Sequence, residues 1–464
     1  MNTLPTLRSP LSGGRRLGFH YYPDTLHYRE TDLDAWVPVL QGLGAAWLVL
    51  LSETGRAIPE AFLTGLLNAG IEPIIHFKCG VDSTFDWREA RPLFEAYARW
   101  GVRYVICYDR PNARSAWPAR SWVQQDLAKI FLDRFLPAAN LAIRQGMVPI
   151  FPPLEPGGSY WDTAFLRSAL QGMVERQEDQ LLRGMALAAY AWTGGRSLNW
   201  GAGGPERWPQ ARPYHTPPGS QDQRGLRIFD WYQAVAQDVL GRSVPIFLLQ
   251  VGTPADPEAS PTSSTASESA YARGCAAIAR LLFGEPDPGV DEPEDQLQPI
   301  PPQVVAGCFW LLAADADSRY APQAWFQPAP QEDASAGPWV ETAACAPLRA
   351  LNLQHNRPAA GQAKTGGLED QPESRPLLRH YLLLPGLEWG ISDWYLELAR
   401  PFIKKHRPAI GFSIEEARLA ARVTVVGQVP GFTREVLDAL QQAGRQVEWI
   451  DGDGTTIATR FAEM

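Results

Sequence analysis

Eight short apolar runs recur through residues 17–312, and most are separated by segments with helical spacing of their apolar positions. The runs are Leu17–Tyr22, Ala46–Leu51, Glu72–Lys78, Val102–Tyr108, Met147–Phe151, Met185–Trp192, Val244–Gln250 and Val304–Leu312. Nearly continuous apolar runs, rather than alternating ones, mark strands covered on both faces. Strands that alternate with helices build a parallel sheet. Eight such units fit the α/β fold class, in its closed (β/α)8 TIM-barrel form. Chemistry on that fold sits where strands end and loops begin.

The intervening helices are expected near Asp32–Leu43, Pro59–Ala69, Ala90–Trp100, Ser121–Gln145, Trp161–Gln180, Leu226–Leu240 and Tyr271–Phe283. A last barrel helix is expected over Trp339–Leu353. Residues 1–16 read as a loose arm, and 17–354 as the barrel. Residues 355–375 are polar, with Gly, Pro, Glu and Lys, and read as a linker. Residues 376–464 read as a small α/β domain: strands His380–Pro385, Val423–Gly427 and Gln446–Ile450, with helices Ser392–Lys404 and Thr433–Ala443. Two loops stand out inside the barrel. The segment 193–225 is long and rich in Gly, Pro, Trp and His, a length that loops reach when they carry function or lack order. Pro254–Ser269 is rich in Pro, Ser and Thr and reads as mobile.

Charge and cysteine usage remove several functional classes. With 42 basic against 51 acidic residues the net charge is −9, which argues against a nucleic-acid binder. Five cysteines, an odd number with no Cys-x-x-Cys pair, suggest neither a disulfide framework nor a zinc site. The first 16 residues hold no apolar secretory core, and no run is long enough to span a membrane. Cytoplasmic synthesis is therefore expected, with non-classical export to the cell envelope as the alternative. Gly201–Gly204 lacks the lysine and the strand–turn–helix setting of a phosphate loop, so no cofactor is expected.

The strand ends carry the candidate site. His20 and His76 close strands one and three; Asp24, Glu53, Lys78, Asp109, Glu155, Asp315 and Asp317 lie at or just past strand ends. Tryptophan is nearly as frequent as phenylalanine, 17 against 18, and Trp192 and Trp310 stand at strand ends. A flat indole can cover the apolar face of a sugar while its N–H still bonds. The spacing of His and Asp expected of barrel metallohydrolases is missing, and no metal is expected.

Residues 17–350 resemble the large retaining clan of glycoside hydrolases that includes cellulases, mannanases and xylosidases. In that clan strand four ends in Asn-Glu-Pro, whose Glu is the acid/base, and strand seven ends in a Glu nucleophile. Here strand four ends in Asp109-Arg110-Pro111-Asn112, with Arg110 at the Glu position, and strand seven ends in Gln250. Trp310 falls where the clan places a sugar-stacking tryptophan. Retaining hydrolysis needs two carboxyl groups about 5–5.5 Å apart, and neither matched position has one.

The resemblance implies a polysaccharide or cell-envelope glycan as partner. Trp192 and Trp310 would stack on it, and His20, His76, Asp109 and Gln250 would make polar contacts. Glu155, Glu53 and Asp109 remain as candidate catalytic carboxylates, for instance in an inverting mechanism with a spacing of about 6.5–9.5 Å. Each can equally serve as a loop cap or an arginine partner. Three readings stay open: glycan recognition without standard catalysis, an active glycosidase using those carboxylates, and a structural scaffold for an envelope-directed assembly.

The C-terminal stretch has its own resemblance. Arg422–Gly427, Val436–Leu440, Val447–Gly452 and Thr456–Thr459 resemble one copy of a bacterial cell-wall-binding repeat, with Trp449 in place of that family's arginine. The oligomeric state is not legible in the sequence.

Overall fold

The computed structural model describes residues 15–81, 86–252, 265–285, 297–329, 339–356, 378–387, 390–391, 393–406, 408–411, 417, 420–427, 434, 441, 445–452 and 454–463. The chain divides into two compact units, 1–360 and 361–464.

The first unit is a closed barrel of eight parallel strands in sequential order. They are β1 (Leu17–His20), β2 (Trp47–Leu51), β3 (Glu72–Phe77), β4 (Tyr104–Cys107), β5 (Val148–Leu154), β6 (Ala186–Tyr190), β7 (Ile246–Val251) and β8 (Val304–Phe309). The principal helices between and after them are α1 (Glu30–Leu43), α2 (Glu60–Asn68), α3 (Trp87–Arg99), α4 (Leu127–Arg144), α5 (Asp162–Glu175), α6 (Ile228–Leu240), α7 (Thr265–Phe283) and α8 (Cys345–Asn356). The ring closes where Gly18 of β1 pairs with Cys308 of β8 on one side and Trp47 of β2 on the other. A Cβ on Gly18 would lie 2.7 Å from the Trp47 Cβ and 2.9 Å from the Cys308 Sγ, so only glycine fits there.

The two-residue period of the strands sorts their side chains between two cores. Trp47, Val49, Ile74, Tyr104, Ile106, Phe247 and Leu249 fill the barrel interior. Leu48, Leu50, Ile75, Val105, Ile246 and Leu248 pack outward under the helices. Trp47, Tyr104 and Phe247 meet edge-on with ring centroids 5.3–5.4 Å apart, forming an aromatic floor at the N-terminal end of the strands. The barrel is thus filled from below, and its open positions are at the C-terminal ends.

The expected strands are all present, with ends shifted by a few residues. Several other expectations are corrected. Arg16 is not part of a loose arm: it is buried, and its guanidinium donates to the carbonyls of Leu282 (2.8 Å), Ile300 (2.8 Å) and Pro301 (3.0 Å). The helix expected from Ser121 is two helices, Ala119–Trp122 and α4, because Asp126 adopts a left-handed φ of 61° between them. The helix expected to reach Gln180 stops at Glu175, and Gln177, at φ 59°, turns the chain into a separate helix, Asp179–Gly184. Trp339–Glu341 is not helical but pairs antiparallel with Phe326–Pro328, so the last barrel helix begins only at Cys345. Helix α7 starts at Thr265, inside the segment expected to be a mobile loop; residues 254–264 of that segment lie outside the described residues. Most of the expected linker lies outside them too, while His355 and Asn356 belong to α8.

The second unit holds a parallel sheet of four strands: β9 (Leu378–Leu383), β10 (Ala409–Gly411), β11 (Ala420–Val426) and β12 (Gln446–Ile450), in the order β10-β9-β11-β12. Helices α9 (Asp393–His406) and α10 (Gly454–Glu463) supply Phe402, Ile457 and Phe461 to a core with Leu382, Val426 and Ile450. Strand β10 was not legible in the sequence, being only three residues long. The helix expected over Thr433–Ala443 lies outside the described residues, apart from positions 434 and 441. Among the described residues no helix is long and apolar enough to cross a membrane.

Arg16 gives a direct test of how the ring is tied together. Arg16→Met keeps the buried stem and removes every donor, leaving three carbonyls to find new partners. The expected loss is about 2–4 kcal/mol, read as a lower urea midpoint with an unchanged m-value. A change below about 0.5 kcal/mol would contradict this role.

Candidate functional site

The inward period carries His20, His76 and Tyr190 to the C-terminal rim of the barrel, directly above the apolar layers. Just beyond, the backbone leaves the sheet through unusual conformations. Tyr108 (φ 76°), Arg110 (φ 45°) and Gln250 (φ 49°) are non-glycine residues in the left-handed region. Such a conformation costs about 1–3 kcal/mol and persists only where its surroundings hold it. Here the hold is visible: the N–H of Tyr108 donates to the Phe77 carbonyl (3.0 Å) and that of Arg110 to the Pro153 carbonyl (3.0 Å). The N–H of Gln250 donates to His20 Nε2 (3.2 Å). Arg110 and Gln250 are the two positions that the clan resemblance singles out.

Asp109 is the central charge of the rim and is only 7% exposed. The Tyr190 hydroxyl donates to its Oδ1 (2.6 Å), and Arg110 Nε to its Oδ2 (3.2 Å). Burial opposes its ionisation, but Lys78, His76, Arg110 and the Tyr190 hydroxyl outweigh burial and hold its carboxyl below the ordinary range. Arg110 also reaches Glu155, with Nη1 3.9 Å from Oε2. One guanidinium therefore stands between the two carboxylates. Glu155 itself is a third exposed, and its loop is locked by Asn112. The Asn112 amide donates to the carbonyls of Glu155 and Tyr160 (2.9 Å each), and its oxygen accepts from the Glu155 N–H (2.8 Å).

His20, Gln250 and Trp192 form a second chain of contacts. The indole N–H of half-buried Trp192 donates to Gln250 Oε1 (2.9 Å), and its ring stacks on Tyr190 at 5.0 Å. Since His20 Nε2 accepts from Gln250, its imidazole is neutral; burial, with His76 and Lys78 nearby, pushes its pKa far down. His76 Nε2 lies 3.1 Å from the Tyr108 carbonyl, and burial lowers its pKa to about 4. Trp310 is buried, edge-on to His20 (5.3 Å) and Tyr320 (5.5 Å), with its N–H on Gln323 (2.8 Å). The Lys78 ammonium lies 5.8 Å from its ring centroid. The Trp310–Leu311 peptide is cis.

The structure thus brings together His20, His76, Asp109, Glu155, Trp192, Gln250 and Trp310. Glu53 stands apart from this network: it is exposed, its carboxylate accepts a hydrogen bond from Thr25, and its backbone pairs antiparallel with that of Arg56.

Two features were not found from sequence. His27 sits between Asp24 (Nδ1 to Oδ1, 3.0 Å) and Asp315 (Nε2 to Oδ1, 3.1 Å), tying the loop after β1 to the loop after β8. Burial opposes its protonation, but the two carboxylates prevail and raise its pKa. The three residues can each present a ligand atom within 4.8 Å of the others, yet both imidazole nitrogens already face carboxylates. Its sequence signal, a histidine three residues after Asp24, is too common to single out. The second feature is Asp162, which links the β5 loop to segment 193–225. It is fully buried and accepts from the Gly157 N–H (2.9 Å), Gln223 Nε2 (2.6 Å) and the Tyr232 hydroxyl (3.2 Å). The long segment is ordered around Asp222, which accepts from Trp200 (3.1 Å) and Thr216 (2.8 Å) and pairs with Arg224. Trp231 Nε1 donates to the Gly201 carbonyl (2.8 Å), fixing that segment to α6.

No known family's sequence profile matches the chain, and no curated protein matches it. Among solved structures it is similar to a family 39 glycoside hydrolase from the gut symbiont Bacteroides cellulosilyticus WH2, at 10% identity and TM-score 0.42. That match covers 74% of this chain and 65% of the other, so the chain spans about two thirds of that protein's length. It is also similar to an endo-β-1,4-glucanase from Xanthomonas axonopodis pv. citri, at 12% identity and TM-score 0.40, covering 74% of this chain and 99% of the other. A third is a GH128 (subgroup II) endo-β-1,3-glucanase from Sorangium cellulosum, at 13% identity and TM-score 0.34, covering 65% and 89%. At these identities and scores neither activity nor substrate passes from them to this chain.

Asp162 yields a pH prediction with a definite sign. Burial raises its folded pKa from 3.8 to about 6. The folded state therefore holds an extra proton between those values, and this group's contribution to stability falls as pH rises from about 4 to about 6. Asp162→Asn keeps the acceptor for Gly157 and Gln223 and never ionises. Relative to the wild type it should gain on the order of 2–3 kcal/mol between pH 4 and pH 7, measured by urea melts at both pH values. A stability difference that does not change with pH would contradict the burial of this charge. At the rim, Tyr190→Phe removes the hydroxyl on Asp109 and should cost about 1–2 kcal/mol in the same melts at pH 7; an unchanged midpoint would show that Arg110 and Lys78 suffice.

Proposed function

We propose that the barrel mouth recognises a polysaccharide or cell-envelope glycan and does not carry out the standard retaining hydrolysis. One observation carries this reading. The residues at the ends of β4 and β7, Arg110 and Gln250, are both tied into the rim by hydrogen bonds, and the Arg110 guanidinium separates Asp109 from Glu155. A retaining mechanism needs one carboxylate as nucleophile and a second carboxyl as proton donor. Gln250 cannot ionise, and Asp109, buried and held ionised, has no proton to give at neutral pH. What the rim offers a sugar is the half-buried Trp192 with its neighbouring polar groups, a combination suited to binding.

The same reading extends to the second unit as a wall-binding module. Its support is the Val-rich strand β11, followed by Gly427, and Trp449 of β12, whose indole donates to the Gly427 carbonyl (2.9 Å). Retention of the full chain by purified peptidoglycan sacculi supports that role, and its absence removes it.

For the barrel, the test is to measure binding and product release with cello-, manno- and xylo-oligosaccharides and with soluble peptidoglycan fragments. The wild type should bind at least one of these and release no shorter product. Trp192→Ala should weaken that binding about tenfold, or about 1.4 kcal/mol. Turnover by the wild type that disappears in Glu155→Ala would instead make the protein a glycosidase working through Glu155. Absence of both binding and turnover would favour a scaffold.

A further inference from the structure

We propose that the barrel mouth selects a negatively charged glycan, one carrying uronate carboxylates or sulfate esters, with Lys78 and Arg110 as its anion contacts. This deepens the glycan reading above and rests on it.

Few of the charges at the rim are available to a ligand. Asp109 is not: it is buried, and its two oxygens are occupied by Tyr190 and Arg110. The two histidines are neutral, and the Nε2 of each already lies in hydrogen-bonding contact with a main-chain group, the Gln250 N–H for His20 and the Tyr108 carbonyl for His76. Around Asp109 three charged side chains remain in contact with solvent, Lys78, Arg110 and Glu155; on the loops after β1 and β8, Asp24 and Asp315 are paired with His27, and Asp317 is exposed. Asp109 and Glu155 both pair with Arg110, and among the described residues no carboxylate lies within ion-pair distance of Lys78.

Lys78 differs from an ordinary surface lysine in where it is held. It follows the end of β3, and its ammonium lies 5.8 Å from the ring centroid of Trp310, at the end of β8. Its charge is felt by His20 on β1, by His76 on β3 and by Asp109 after β4. It therefore projects over the centre of the mouth and not away from the barrel. An ammonium offers three donors and no acceptor. Arg110 keeps guanidinium donors beyond the Nε that holds Asp109, and its contact with Glu155 is loose at 3.9 Å. Two cations with donors to spare, at the rim that also carries the half-buried Trp192 ring, match a sugar ring that bears an anion. The usual carboxylate pair would repel such a sugar. At this rim those two positions hold a cation and a neutral amide.

The chain as a whole carries −9, so long-range attraction does not explain such a preference. The selection would act at contact distance, between a bound anionic group and these two side chains.

The test uses the full chain and paired probes that differ only in charge: hexamers of galacturonate and of hyaluronan, each against its carboxyl-reduced counterpart, and chondroitin sulfate against its desulfated form. Calorimetry at fixed ionic strength gives the affinity ratio within each pair. The proposal expects at least a tenfold preference for the charged member of one pair. Lys78→Gln should bring that ratio close to one, and Lys78→Arg should restore it. A preference for the carboxylate pairs alone assigns uronate, and one for the sulfated pair alone assigns sulfate. Equal or tighter binding of the neutral members overturns the proposal and leaves the glycan reading intact. If neither these probes nor the neutral oligosaccharides of the preceding section bind, the glycan reading fails and this proposal with it.

Discussion

Closing eight parallel strands into a ring is the constraint on which the rest of this molecule depends. Every strand needs two hydrogen-bonded neighbours, so β1 must meet β8 as well as β2. That closure forces Gly18 between Trp47 and Cys308, and it recruits Arg16 to cap the carbonyls of Leu282, Ile300 and Pro301 beside it. With Trp47, Tyr104 and Phe247 filling the lower end, where buried Glu72 is paired with Arg103, the inward-facing His20, His76 and Tyr190 gather at the upper rim. Residues far apart in sequence, from His20 to Trp310, become neighbours there as a consequence of closure.

The rim then solves a problem of buried charge. A carboxylate removed from water costs several kcal/mol unless paired and hydrogen-bonded. Asp109 meets that condition through the Tyr190 hydroxyl and the Arg110 guanidinium, with Lys78 adding its field. The solution has a chemical consequence. A carboxylate stabilised this firmly in its ionised form is a poor proton donor, and the arginine that stabilises it stands between it and Glu155. The left-handed backbones of Arg110 and Gln250 fit the same picture, since the Pro153 carbonyl and His20 hold them in place. The rim is well suited to present fixed polar and aromatic groups and poorly suited to acid/base exchange.

The barrel was legible because eight doubly covered strands leave eight nearly continuous apolar runs, a pattern few other folds produce. Its strand ends also pointed to His20, His76, Asp109, Trp192 and Gln250, which the structure gathers at one rim. Other features were invisible for physical reasons. Arg16 looks like part of a polar arm, because its carbonyl partners lie more than 260 residues away. Trp339–Glu341 has an apolar pattern compatible with a helix, and only pairing with Phe326–Pro328 makes it a strand. Tyr190 read as one more residue of an apolar run, although its hydroxyl donates to Asp109. His27 lacked any local pattern that would join it to Asp315 across the barrel.

A rim that binds a glycan through its aromatic and polar groups, as proposed, and leaves it uncleaved can be read for both events in one sample. The most direct measurement is a 15N-resolved NMR titration of the tryptophan indoles with neutral and acidic hexasaccharides, followed by mass analysis of the sugar in the same tube. The Trp192 indole N–H, bonded to Gln250, is expected to shift saturably with at least one hexasaccharide, and that sugar to remain six units long. Shortened products, or binding that leaves the Trp192 resonance unmoved, would contradict that proposal.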